Sequence, residues 1–151
     1  MSKDSSGLFS GTSGAKSTNS LPTKNELKNR INEKQESLIE KTPGGNGKSL
    51  IIGAFDETTG KTSVAFAGEP PKKVHPVLQK IADKLGGIGS LGVSGKNKIG
   101  VCAEFHVVNN LLWSGSKLEN IKLTTPTRPR TGEAIDFCPN CVKMFKEQIG
   151  K

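Results

Sequence analysis

Three thiols and one carboxylate carry the chemistry that is legible in this chain. Cys102-Ala103-Glu104 opens one stretch of helical periodicity, and Cys138-Pro139-Asn140-Cys141 opens another further along. Residues i and i+3 share a helical face, so Cys138 and Cys141 can chelate one ion together, with Cys102 supplied from the neighbouring helix start. A catalytic zinc wants three protein ligands and one open position, and three thiolates meet that count. Their surplus negative charge is offset by two helix N-termini aimed at the same point. Glu104, two residues beyond a ligand, is poor at sharing the metal but placed to reach a water, which makes it a proton shuttle rather than a fourth ligand.

Blander readings exist for each piece. An isolated cysteine is more often a small buried side chain than a ligand. FCPNC alone resembles a redox pair opening a helix, but that use leaves Cys102 and Glu104 idle. A structural zinc needs a fourth ligand, and the nearest candidate, His106, lies on a different part of the helix face; it reads as a pocket or packing residue. His75, before Pro76, reads as a helix-start residue. PGGNGKS is not a phosphate loop, because Thr42 stands where the first glycine is required and no strand precedes it.

The elements that must hold these groups can be read from periodicity. Residues 1–21 are Ser, Gly and Thr with little to bury, a disordered leader. Residues 22–48 hold a weakly amphipathic helix (Leu27, Ile31, Leu38, Ile39) and the turn TPGGNG, read as a linker ahead of a domain that starts at 49. Two β-rich runs, 49–55 and 62–67, flank a polar turn and predict a hairpin. Helices are expected over 75–85, 102–113 and 138–149. ENIKLTT predicts a strand, and TPTRPRTGEAID a long, proline-stiffened loop. A glycine-rich connector joins the first two of these helices.

Composition sets the outer limits. The 151 residues include 22 Lys and Arg against 14 Asp and Glu, a net charge of +8 that favours a polyanionic partner such as nucleic acid. Lys122, Arg128 and Arg130 are the candidates for substrate phosphates, and Phe137, beside Cys138, for stacking on a base; Trp113 reads as core. Three cysteines is an odd count, which excludes a complete disulfide framework. No apolar run is long enough to cross a bilayer, so no membrane partner is expected, and an export signal would have to lie elsewhere.

The two cysteine motifs together resemble the zinc-dependent nucleobase deaminases, whose pattern is H-x-E followed by P-C-x-x-C, with a three-cysteine variant. With Cys in the first ligand place, a basic body and a Gly/Ser leader such as GLFSGTSG, residues 49 to 149 resemble the YwqJ-like deaminases, C-terminal warheads of secreted bacterial polymorphic toxins. The resemblance implies an α/β fold: a cytidine deaminase-like three-layer domain over 49–151, a mixed sheet flanked by helices. It implies that Cys102, Cys138 and Cys141 hold Zn2+, while Glu104 accepts a proton from water and protonates the ring nitrogen. Attack at cytosine C4, in single-stranded DNA or RNA, would release ammonia and leave uracil. It further implies secretion as part of a larger toxin, action in the target-cell cytoplasm, and a cognate immunity protein. Competing functions are a free nucleoside or nucleotide deaminase and a non-enzymatic, basic, zinc-stabilised binding module. The chain departs from the family pattern in having Phe137 where a proline normally precedes the first cysteine, with Pro139 between the cysteines, a favourable place just inside a helix. It also stops soon after Cys141, where the general deaminase fold continues.

Overall fold

The computed structural model describes residues 21–93, 95 and 97–149. The expected leader falls outside the described residues, apart from Leu21. Helix α1 (Lys24–Lys41) starts in a capping box: Thr23 Oγ1 accepts from the Glu26 N–H at 3.1 Å, and the Thr23 N–H donates to Glu26 Oε1 at 2.8 Å. Only Leu27 and Ile31 of this helix are fully buried.

The expected hairpin is formed by β1 (Ile51–Asp56) and β2 (Thr62–Phe66), antiparallel with Ile51 opposite Phe66 and Phe55 opposite Thr62. Asp56 organises the turn: Oδ1 accepts from the N–H and hydroxyl of Thr58 and from the N–H of Thr59. Gly60 closes it at φ +80°, a conformation other residues resist. On the other side of β1 lies β3 (Ile121–Leu123), also antiparallel, with Ala54 opposite Leu123. The order is β2-β1-β3. The sheet is therefore antiparallel rather than mixed. β2 and β3 run the same way but are separated by β1, so no parallel pairing arises.

Alternation along β1 sends Ile52 and Ala54 to one face and Phe55 to the other. The first face packs with α2 (Pro76–Lys84) and α3 (Ala103–Trp113) in a core that includes Leu78, Phe105, Val108 and Leu112. On the second face Phe55 meets Leu27 and Ile31, with Val64 against them. Gly53 makes that contact possible, since a Cβ there would lie 2.1 Å from Ile31 Cγ2. Helix α1, read in sequence as linker, is thus a third layer over the sheet. Its apolar stripe is short because its partner surface is small: Gly53, the Phe55 ring and part of Val64.

Two further expectations change at the C-terminal end. The strand over 119–125 shrinks to three residues: a 3-10 turn follows Lys117, and beyond Leu123 Thr124 keeps one backbone bond, its N–H donating to the Gly53 carbonyl at 2.9 Å, while its Oγ1 accepts from the Gly53 N–H at 3.1 Å. The single helix over 138–149 divides into α4 (Pro139–Met144) and α5 (Lys146–Ile149), with the break at Phe145, whose side chain is fully buried in the core. The loop 125–136 folds back on itself, Thr127 bridging both Ile51 and Ala134.

Candidate active site

Cys102 is the N-cap of α3 and Cys138 the N-cap of α4, both with extended backbone, and Cys141 follows in the first turn of α4. The placement follows from the fold. Helix α3 packs across the sheet and brings its first residue to the end where the 125–136 segment returns. The Sγ atoms of Cys102 and Cys138 are 3.1 Å apart and those of Cys138 and Cys141 3.5 Å, with all three within 4.8 Å of one another. A tetrahedral zinc with bonds of about 2.3 Å would separate its sulfurs by about 3.8 Å, so the donor set fits a soft divalent ion. No other group of three such side chains gathers among the described residues, and no fourth ligand joins this one.

The electrostatics are those of three sulfurs sharing little charge. Hydrogen bonds from Cys102 and Cys141, and then from backbone N–H groups at the start of α4, hold the Cys138 thiol far below the usual range. Cys102 is pushed up, first by its contact with Cys138 and then by burial; Cys141 is pushed up by both neighbouring sulfurs and by burial. One thiolate is the arrangement this packing favours. Binding a divalent cation is what would ionise all three.

Glu104 stands beside the sulfurs in the first turn of α3, 1% exposed, and its Oε1 has no hydrogen-bond partner. Burial raises its pKa to about 7, and the negative charge at Cys138 adds to the effect. A buried carboxyl with a spare oxygen is costly as structure. It lies on the wall of a cavity of about 600 Å³ that it shares with Cys102 and Cys138. Leu50, Ala67, Val101 and Ile135 give that cavity apolar sides, and Asn97, Glu69 and Asp136 give it polar ones.

The other residues expected to contact substrate are placed differently. His106 is not among the residues that line the cavity; its Nε2 lies 3.4 Å from the Gly68 carbonyl, and burial lowers its pKa. Phe137 is not on this cavity: it packs on the core and borders a separate hollow with Leu123 and Ile149. Extended backbone sends successive side chains to opposite sides, so with Cys138 turned inward Phe137 turns away. Lys122 faces Glu57 at 3.9 Å, and Arg128 faces Glu133 at 3.6 Å within the folded-back loop. Neither these two nor Arg130 lines the cavity; their segment reaches it through Ile135 and Asp136.

One residue of the motif that carried no assigned role organises the site. Asn140, between the two cysteines, is fully buried; its Oδ1 accepts from the Val93 N–H at 2.9 Å, and its Nδ2 donates to the Leu91 carbonyl at 3.2 Å and the Asn97 carbonyl at 2.9 Å. It ties the glycine-rich connector to α4 and so sets Asn97 on the cavity wall. Gly92, at φ +55°, is needed there, because a Cβ would come within 2.5 Å of Asn140 Oδ1. The available signal was an amide side chain inside a metal motif together with an unassigned glycine-rich stretch. Comparison with protein-family models, curated proteins and solved structures finds no match for this chain.

Proposed function

We propose that this protein is a zinc-dependent hydrolytic deaminase of a nucleobase, with cytosine in single-stranded nucleic acid as the substrate. The observation that carries the reading is the buried Glu104 carboxyl, its Oε1 unpartnered, on a cavity wall beside three gathered thiols. A zinc ion held by Cys102, Cys138 and Cys141 would supply the Lewis acidity that makes water a nucleophile at neutral pH. Glu104, with a pKa near 7, is poised both to take a proton from water and to give it up. It delivers that proton to ring N3 as C4 is attacked. Glu104 then takes the proton of the new C4 hydroxyl and passes it to the N4 amine, so that breaking the C4–N4 bond releases ammonia and leaves the uracil carbonyl. Glu69 and Asp136 offer acceptors to an exocyclic amine, and the apolar walls suit the faces of a flat ring.

The resemblance to YwqJ-like deaminases supports the same chemistry. It also suggests the setting: the toxic end of a secreted bacterial protein, acting in the cytoplasm of a target cell and restrained by a cognate immunity protein. The test is turnover on single-stranded DNA, RNA and free cytidine, with metal content measured in parallel. Wild type should release ammonia and form uracil. Glu104→Ala should retain its zinc and lose about 10²- to 10⁴-fold in rate, the usual worth of a general acid–base group. Turnover confined to free cytidine would make the protein a nucleoside deaminase. If chelation unfolds the protein while no substrate is turned over by wild type, the ion is structural and the protein is a zinc-stabilised binding module.

A further inference from the structure

A second cavity, of about 790 Å³, lies between α1, the β1–β2 turn and the C-terminal end of α3. Its cations are Arg30, Lys34 and Lys61, and its acid is Glu33. None of the three cations is in an ion pair among the described residues; Lys34 Nζ donates to the Thr62 carbonyl at 3.1 Å and Lys61 Nζ to the Ser114 carbonyl at 2.6 Å, and an ammonium has three donors, so each keeps donors for a ligand. Hydroxyl and amide groups from Ser37, Thr62, Ser63 and Asn110 complete a wall rich in donors and without an aromatic side chain. Burial, and then the charge of Arg30, lowers the pKa of Lys34. Such a surface suits phosphates and offers no platform for bases.

The position of the cavity matters as much as its charge. β2 is an edge strand, and the same edge continues into a smaller hollow bordered by Lys34, Lys41, Thr62 and Val64. The residues just past its other end, Ala67 to Glu69, line the cavity that holds Glu104. Helix α3 likewise contributes Glu104 to one cavity and Asn110 and Ser114 to the other. From Glu104 to Ser114 is about 15 Å along the helix at about 1.5 Å per residue. A stacked strand covers that in roughly four to five nucleotides at about 3.4 Å each.

We infer that the cleft formed by Arg30, Lys34 and Lys61 binds the phosphodiester backbone of single-stranded nucleic acid, several nucleotides away from the base at Glu104, an inference that rests on the nucleic-acid substrate proposed above. Phosphates flanking the target are then held on α1 and the β2 edge, in addition to any contact made by Arg128 and Arg130. Mononucleosides are too short to reach it.

The test is the anisotropy of a labelled 12-nucleotide single strand, DNA and RNA in turn, titrated with the full-length protein over a range of salt. Arg30→Gln and Arg30→Gln/Lys34→Gln are compared with a control, Lys80→Gln/Lys84→Gln, on the exposed face of α2. Arg30 is exposed and makes no hydrogen bond or ion pair among the described residues, so its single substitution leaves the fold alone; thermal melts check the double variant. The double variant should bind about 10-fold more weakly than the control, and its salt slope should fall by about 0.7 for each phosphate that the protein no longer neutralises. Affinities and slopes equal to the control's would overturn the inference. So would a glutamate-rich peptide that displaces the strand from wild type at equal concentration, because an acidic protein would then be the better occupant. No turnover is read in this titration: weak binding by wild type counts against the cleft, whereas an inactive Glu104 centre with intact binding leaves the cleft standing and removes the deaminase.

Discussion

At the residue scale, the protonation of Glu104 and the thiols gives two measurable consequences. The Glu104 carboxyl has an ordinary pKa of 4.5 when unfolded and about 7 when folded. A group raised on folding contributes stability that is full below pH 4.5 and is lost as pH climbs to 7. In the metal-free protein this amounts to about 3 kcal/mol, at about 1.4 kcal/mol per unit. Urea unfolding between pH 4 and 8 should show that slope in wild type and a flatter one in Glu104→Gln. The thiols predict the second consequence. Cys138 is already ionised at neutral pH while Cys102 and Cys141 are held protonated, so zinc uptake should release about two protons. Calorimetry at pH 7 in buffers of different ionisation enthalpy counts them, and release near zero would mean that the sulfurs do not all ligate.

At the element scale, the connector and α1 depend on single close contacts. Asn140→Ala would leave backbone groups of Leu91, Val93 and Asn97 without their side-chain partner. The loss should be about 3 kcal/mol, and hydrogen exchange at Val93 should quicken with it. Gly53→Ala drives a methyl into Ile31 and should cost about 1 to 3 kcal/mol. Ile31→Ala, which vacates that space, should make the Gly53 substitution nearly neutral, so the double-mutant cycle is strongly non-additive. Additive energies would mean that α1 does not sit on Gly53. Periodicity located the elements themselves, hairpin and helices included, because capping residues, turn residues and apolar spacing are local signals. The split of the last helix at Phe145 was not local: core burial of that ring overrode the continuing helical pattern.

At the scale of the whole molecule, three layers share one short sheet, and α1 is one of them. Removing residues 21–48 uncovers Phe55 and Val64, so the remainder should lose its cooperative thermal transition rather than fold as an independent domain. A sharp melt for the shortened chain would show that α1 is dispensable. The net charge of +8 makes a polyanionic partner an expectation from composition alone. It does not say which lysines and arginines gather. Arg30 and Lys34 sit one turn apart on α1 and Lys61 lies in the β1–β2 turn, so the three meet only because α1 packs against the hairpin.

The residue types and spacings around Cys102, Glu104, Cys138 and Cys141 were enough to nominate a metal centre, since ligand chemistry and helix-start geometry act over three or four residues. Two things needed the folded chain: that Cys102 reaches the other two sulfurs, and that Phe137 turns away while Asn140 takes hold of the connector. Each depends on how distant segments pack. Contacts across long loops leave almost no trace in neighbouring residues, because burial against a surface from elsewhere in the chain sets them.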